Sequence, residues 1–335
     1  MTVKKVVILV LAAVLIFSTA GCKTPGSNTA KSDQPQILCA AFAEYDWVRN
    51  IIGNNPGNIK LTLLNQSGMD MHSYQPSVAD MAAIADSDLV VFTGGESEFW
   101  IKDALTASGS ETGEHISIME VFQHNHELSE GYVLDCEDEH HDNHQHNNHE
   151  DHEHTADEHL WLSLKMAPVF IEEIAGAVAA LDPENAEHYH SNASDYISQI
   201  NSLDKQFEEL TDKVSGTQQS TILIADRDPF KYFFEDYGLT HIAAFPGCSA
   251  ETEASFETIL TLSETIDCLN LPAVGILKKS KSDLAHTVIK NSSNPEAEIL
   301  VFDSMQSITS KDIENGAAWL CIMEENLASL RKAIN

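Results

Sequence analysis

The sequence predicts an α/β protein of two lobes, each with a mainly parallel sheet and flanking helices, bridged by one long helix. Three observations carry this. Strand-like and helix-like segments alternate twice along the chain, the pattern of parallel strands joined by helical crossovers. A chain of 335 residues is long for one core and suits two. Between the alternating halves, apolar residues recur at steps of three and four over a segment with no breaker inside it.

In the first half, 36–42 (QILCAAF) is strand-like, and 44–53 has helical spacing that stops at Gly53. A second strand spans 59–65. Ser77 is positioned to cap a helix over 77–87. The apolar run 88–95 reads as a buried strand bounded by glycines, and 98–108 as a helix. The linking segment 182–215 opens with Asp182, a candidate cap, and Pro183, suited to a first turn. Its stripe runs through Ala186, Tyr189, Ala193, Tyr196, Ile197, Ile200, Leu203, Phe207 and Leu210. Roughly 30 residues at about 1.5 Å each make a rod of about 45 Å, enough to cross both lobes. The second half repeats the alternation. Strands are expected at 220–226, 241–246, 273–278 and 297–303, and helices at 228–239, 255–270 and 315–334. The expected lobes are therefore 36–181 and 216–335.

The N-terminal end reads as an export signal. Lys4 and Lys5 precede an apolar run, Val6–Phe17, that is too short for a bilayer span of about 20 residues. Small residues and Cys22 follow. Residues 1–22 are read as a lipoprotein signal with Cys22 lipidated, and 23–35 as a flexible tether. The protein is thus expected outside the cytoplasm, anchored to the membrane by lipid. A net charge of −33 argues against nucleic acid as a partner. Beyond Cys22, five cysteines (Cys39, Cys136, Cys248, Cys268 and Cys321) form no CxxC pair, which weighs against a thiolate zinc knuckle. Cys248 with Cys268 or Cys321 is conceivable as a disulfide, and no pairing is assigned.

Two histidines stand at positions where ligands bind. His72 lies in the loop 65–80, after a strand and before a helix, at the carboxyl edge of a sheet. His159 precedes the apolar segment 160–170. Taken alone, each is more simply a packed histidine; together they make half a metal site.

The fragments GMDMHSYQPSVAD (68–80), TGGESEFWIKDAL (93–105), DEHLWLS (157–163) and VFDSM (301–305) occur in order, with an acidic histidine-rich insertion and a long linking helix among them. This set resembles the substrate-binding lipoproteins of zinc and manganese ABC importers over nearly the whole mature chain. The resemblance implies a metal cleft between the lobes. It implies His72 and His159 as the ligands from the first lobe and Asp303 as the carboxylate from the second. It also implies an ABC permease and its ATPase as partners, with the chain acting as a monomer. One departure matters. Where the family carries His or Glu, this chain has Arg227, which has no lone pair to offer. Asp226, Asp228, Glu251, Glu253 or water are left to complete the shell.

Two imidazoles and a carboxylate suit Zn2+ better than Mn2+, which prefers more oxygen. Ten of the sixteen histidines lie between His124 and His159. The segment 135–157 has almost no apolar residue and is expected to be a scavenging loop that feeds the fixed site. The chain has neither HExxH nor GxSxG, so an exported zinc hydrolase is the lesser reading and the protein is not expected to be an enzyme. An adhesin or a zinc buffer without a permease is the other rival.

Overall fold

Two four-stranded sheets, each wholly parallel, are stacked with helices on their faces. The computed structural model describes residues 34–107, 114–128, 157–247, 249 and 253–334. The signal and the tether apart from Gln34 and Pro35, Cys136, Cys248, Glu251 and the histidine-rich loop apart from Asp157 lie outside the described residues.

The first lobe runs β1 (Gln36–Cys39), α1 (Phe42–Ile52), β2 (Lys60–Leu63), α2 (Val78–Asp86), β3 (Leu89–Phe92), α3 (Phe99–Ala107), β4 (Glu114–Ser117), α4 (Ile118–Leu128) and α5 (Ala167–Leu181). Ser77 caps α2 as expected, in a full capping box with Asp80. The long helix is α6, Ala186–Thr211. Its 26 residues give a rod of about 39 Å, shorter than expected because Pro183–Asn185 form a separate 3-10 turn and the helix ends at Thr211 rather than at 215. Asp182 caps no backbone group there; its Oδ2 accepts from Tyr189 Oη at 2.6 Å instead.

The second lobe follows as β5 (Thr221–Asp228), α7 (Lys231–Asp236), β6 (Thr240–Pro246), α8 (Phe256–Leu269), β7 (Ala273–Leu277), α9 (Asp283–Asn291), β8 (Glu298–Phe302), α10 (Ser310–Glu314) and α11 (Trp319–Ala333). Strand orders are β2-β1-β3-β4 and β6-β5-β7-β8. Both sheets therefore use one winding, and each reverses direction beside its first strand. In such sheets the ligand crevice opens beyond the carboxyl ends of the strands near that reversal.

The stripe of α6 is buried at seven of its nine positions, and Ala186 and Ile197 are half-buried. It belongs to one apolar core that runs from Ile37 in the first lobe to Leu330 in the second. Two glycines permit close contact across the lobes. Gly68 has φ +64°, and a Cβ there would stand 2.6 Å from the Ser307 carbonyl oxygen. A Cβ on Gly247 would lie 3.1 Å from the ring of His159. Among the described residues, no helix is long and apolar enough to cross a membrane.

Candidate metal centre

His72 sits in a single 3-10 turn, Met71–Ser73, after β2. Asp70 builds the turn: its Oδ1 accepts from the His72 backbone N–H at 3.1 Å. Asn65, at the end of β2, holds the loop from below, accepting from Met69 N–H at 3.2 Å through Oδ1. His159 opens another such turn, Leu160–Leu162, and is fully buried. Asp157 repeats the role of Asp70. Its Oδ1 accepts from the His159 backbone N–H at 2.8 Å and from the ring Nδ1 at 2.9 Å. Burial alone would raise the Asp157 carboxyl, but the His159 contacts outweigh it and hold it below the usual range. With Nδ1 donating to Asp157, Nε2 of His159 is left as the lone-pair nitrogen.

That nitrogen faces the second lobe. Gln306 Nε2 lies 3.3 Å from His159 Nε2 and also donates to Asp70 Oδ1 at 3.4 Å. The His72 and His159 rings stand 5.6 Å apart, centroid to centroid. His72 Nδ1 lies 3.9 Å from Glu158 Oε2, and Glu158 is in turn held by the Ser97 backbone N–H at 2.9 Å and by its hydroxyl. Each imidazole thus turns Nδ1 to a carboxylate of the first lobe.

The second-lobe residues are arranged differently from expectation. Asp303 is nearly buried directly after β8, and its Oδ1 accepts from Met305 N–H at 2.8 Å. Its Oδ2 lies 2.8 Å from Lys278 Nζ, an ion pair. Desolvation would lower the lysine, but Asp303 raises it above its ordinary value. Arg227 reaches across the cleft, Nη1 donating to Asp70 Oδ2 at 2.7 Å. Asp226 accepts from Arg227 N–H and Leu277 N–H at 2.9 and 3.3 Å. Asp228 accepts from Phe230 N–H at 2.9 Å and pairs with His241 Nδ1. Both carboxylates are therefore committed within their own lobe. Glu253 is exposed and lines a cavity of about 730 Å³ that Asp70, Arg227, Lys278 and Gln306 also line, whereas His72 lines a smaller pocket with Glu158 and Gln306.

The structure brings together His72 and His159, two of the three expected ligands. Asp303 is engaged by Lys278, and among the described residues no three His, Cys, Asp or Glu side chains already enclose a metal position. Sequence reasoning missed Asp70 and Gln306. The signal for Asp70 was an Asp-x-His step shared by Asp70–His72 and Asp157–His159, which also occurs at Asp138–His140 and Asp142–His144. Gln306 had none.

Known proteins match this chain closely in length of agreement. "Zinc-binding protein AdcA" of Streptococcus pyogenes serotype M3 is 27% identical over 336 residues, covering 98% of this chain and 61% of AdcA. The chain thus spans under two thirds of the streptococcal relatives it matches. "High-affinity zinc uptake system protein ZnuA" of Bacillus subtilis is 25% identical over 326 residues, with 96% of this chain and 94% of the relative covered. The crystal structure of the Zn(II)-bound ZnuA-like domain of Streptococcus pneumoniae AdcA shares the fold, with a TM-score of 0.68 at 23% identity over 90% of this chain and 99% of that domain. The family model described as zinc-uptake complex component A, periplasmic (ZnuA) matches residues 37–333, and the chain belongs to that family.

Proposed function

We propose that this chain captures Zn2+ outside the cytoplasm and delivers it to the permease and ATPase of an ABC importer, anchored through a lipid on Cys22. The observation that carries this is the imidazole pair. The His72 and His159 rings stand 5.6 Å apart, and Asp157 fixes the His159 tautomer so that Nε2 offers its lone pair. Carboxylate–imidazole pairs of this kind orient metal-binding histidines and raise their basicity. The zinc-binding names of the relatives agree with it.

In this reading His72 and His159 supply two nitrogens, and Asp303 supplies an oxygen once Lys278 releases it. Two nitrogens with oxygen favour Zn2+ over Mn2+, which is the lesser cargo. The site binds and releases and has no catalytic role. The test is zinc titration of the full chain against a chromophoric chelator that outcompetes weak sites. His72→Ala and His159→Ala are each expected to abolish tight binding. Unchanged affinity in both would end the assignment.

A further inference from the structure

The position where the resemblance calls for a second-lobe ligand carries Arg227, and its acidic neighbours do not replace it. Asp226 and Asp228 hold backbone N–H groups and His241. A further carboxylate beside the imidazole pair is Asp70, on the first lobe, two residues before His72; it shares the Gln306 amide nitrogen with His159 Nε2. Its oxygens are occupied in an informative way. Oδ2 accepts from the Arg227 guanidinium at 2.7 Å. Oδ1 accepts from the Gln306 amide, and that same nitrogen lies 3.3 Å from His159 Nε2. One donor atom therefore lies between the His159 lone pair and an Asp70 oxygen, the two kinds of donor a zinc ion takes. Asp303 is covered likewise, by Lys278 at 2.8 Å. The second lobe thus presents a hydrogen-bond donor or a positive charge to each of these three acceptors.

We infer that Asp70 is the oxygen ligand that replaces the one missing at position 227, and that Arg227 is a built-in cation competing with zinc for it. This rests on the zinc reading of the same cleft. Zinc bonds to nitrogen and oxygen are about 2 Å, so His159 and Asp70 must each draw in by roughly 1 Å as Gln306 moves aside. The guanidinium must leave Oδ2, and its positive charge then faces the incoming ion. Both effects weaken capture and ease release. Glu253, on the cleft rim, is a second acceptor to which the freed guanidinium can turn.

The test is a double-mutant cycle on the full chain, read as zinc affinity against a competing chelator. Arg227→Met keeps the aliphatic stem and removes the charge. It is expected to tighten zinc binding roughly tenfold, the scale of one charge-assisted hydrogen bond. Asp70→Asn keeps an acceptor for the His72 N–H, so the turn persists, and is expected to weaken binding by a similar factor. In the Asp70→Asn background, Arg227→Met should produce no tightening. Unchanged affinity in Arg227→Met overturns the inference, as does tightening that persists without the Asp70 carboxylate. The underlying reading fails separately, when both His72→Ala and His159→Ala bind zinc like the wild type.

Discussion

Behind His72 lie three buried glutamates, and their placement has a pH consequence. Glu44 Oε1 accepts from Thr93 Oγ1 at 2.7 Å, Glu98 Oε2 accepts from Gly94 N–H at 2.8 Å, and Glu158 is bound to Ser97. Glu44 Oε2 and Glu98 Oε1 are buried with no partner among the described residues. Burial first, and then the charge of Glu44, push Glu98 up from the ordinary 4.5 to about 8. An acid whose folded pKa is raised binds its proton more tightly in the native state. Below about pH 4.5 it is neutral in both states and has no effect. As pH climbs from there to about 8, ionisation increasingly favours unfolding, and stability falls. Glu98→Gln, neutral throughout, should therefore raise the melting temperature at pH 8 and change it little at pH 5. An equal shift at both pH values would refute the burial argument. His72 was legible as a candidate from its loop beyond a strand and His159 from its place before an apolar segment, and the family resemblance made them a pair. Asp70 was not, because its role depends on Arg227 and Gln306, which only folding brings beside it.

Apart from β4, the described strands were legible from their apolar runs, the half-exposed β2, β6 and β8 as well as the buried ones. Strands β1, β3, β5 and β7 are short apolar runs enclosed on both faces, so the residues themselves report them. Strand β4 lies at a sheet edge and exposes Glu114 and His115, and no apolar run marks it. Helices α4, α5, α9 and α10 also passed unread, although α5 buries eight of its fifteen residues. The long helix was the clearest element, since its stripe needs no partner to be recognised, although its start was misplaced by the turn after Asp182. The stripe also sets its energetics. Phe207 is fully buried, with its ring 5.2 Å from Phe233 and 5.1 Å from Tyr237. Phe207→Ala is expected to cost about 3–5 kcal/mol by cavity formation. Gln206→Ala, one position round on the exposed face, should stay within about 0.5 kcal/mol. Urea denaturation of both variants checks this, and similar costs at the two positions would mean the rod is not packed through its apolar face.

At the scale of the molecule, residues 34–335 form one compact unit although the sheets are separate. The shared core explains part of this, and a polar contact explains the rest. Asp46, fully buried on α1, accepts from the backbone N–H of Trp319 at 2.9 Å and from Tyr196 Oη on α6 at 3.3 Å. Its neighbour Arg49 donates to the Ala317 carbonyl at 3.1 Å. First lobe, rod and the start of α11 are thus joined at one carboxylate. Trp319 in turn donates to the Trp161 carbonyl, and Trp161 to the Ser304 carbonyl, each at 2.9 Å, which carries the connection to the loop after β8 beside the cleft. Lobes joined in this way should unfold together, so calorimetry of the full chain is expected to show one transition for them. Zinc, bound only by the native state, should move that transition upward as a unit. Asp46→Ala strips the buried Trp319 N–H of its acceptor, a loss of about 1–3 kcal/mol for that group alone. It should lower the transition, with the Tyr196 hydroxyl losing its partner as well. Two resolved transitions in the wild type, only one of them shifted by zinc, would show that the lobes are stable independently and that the Asp46 contact does not couple them.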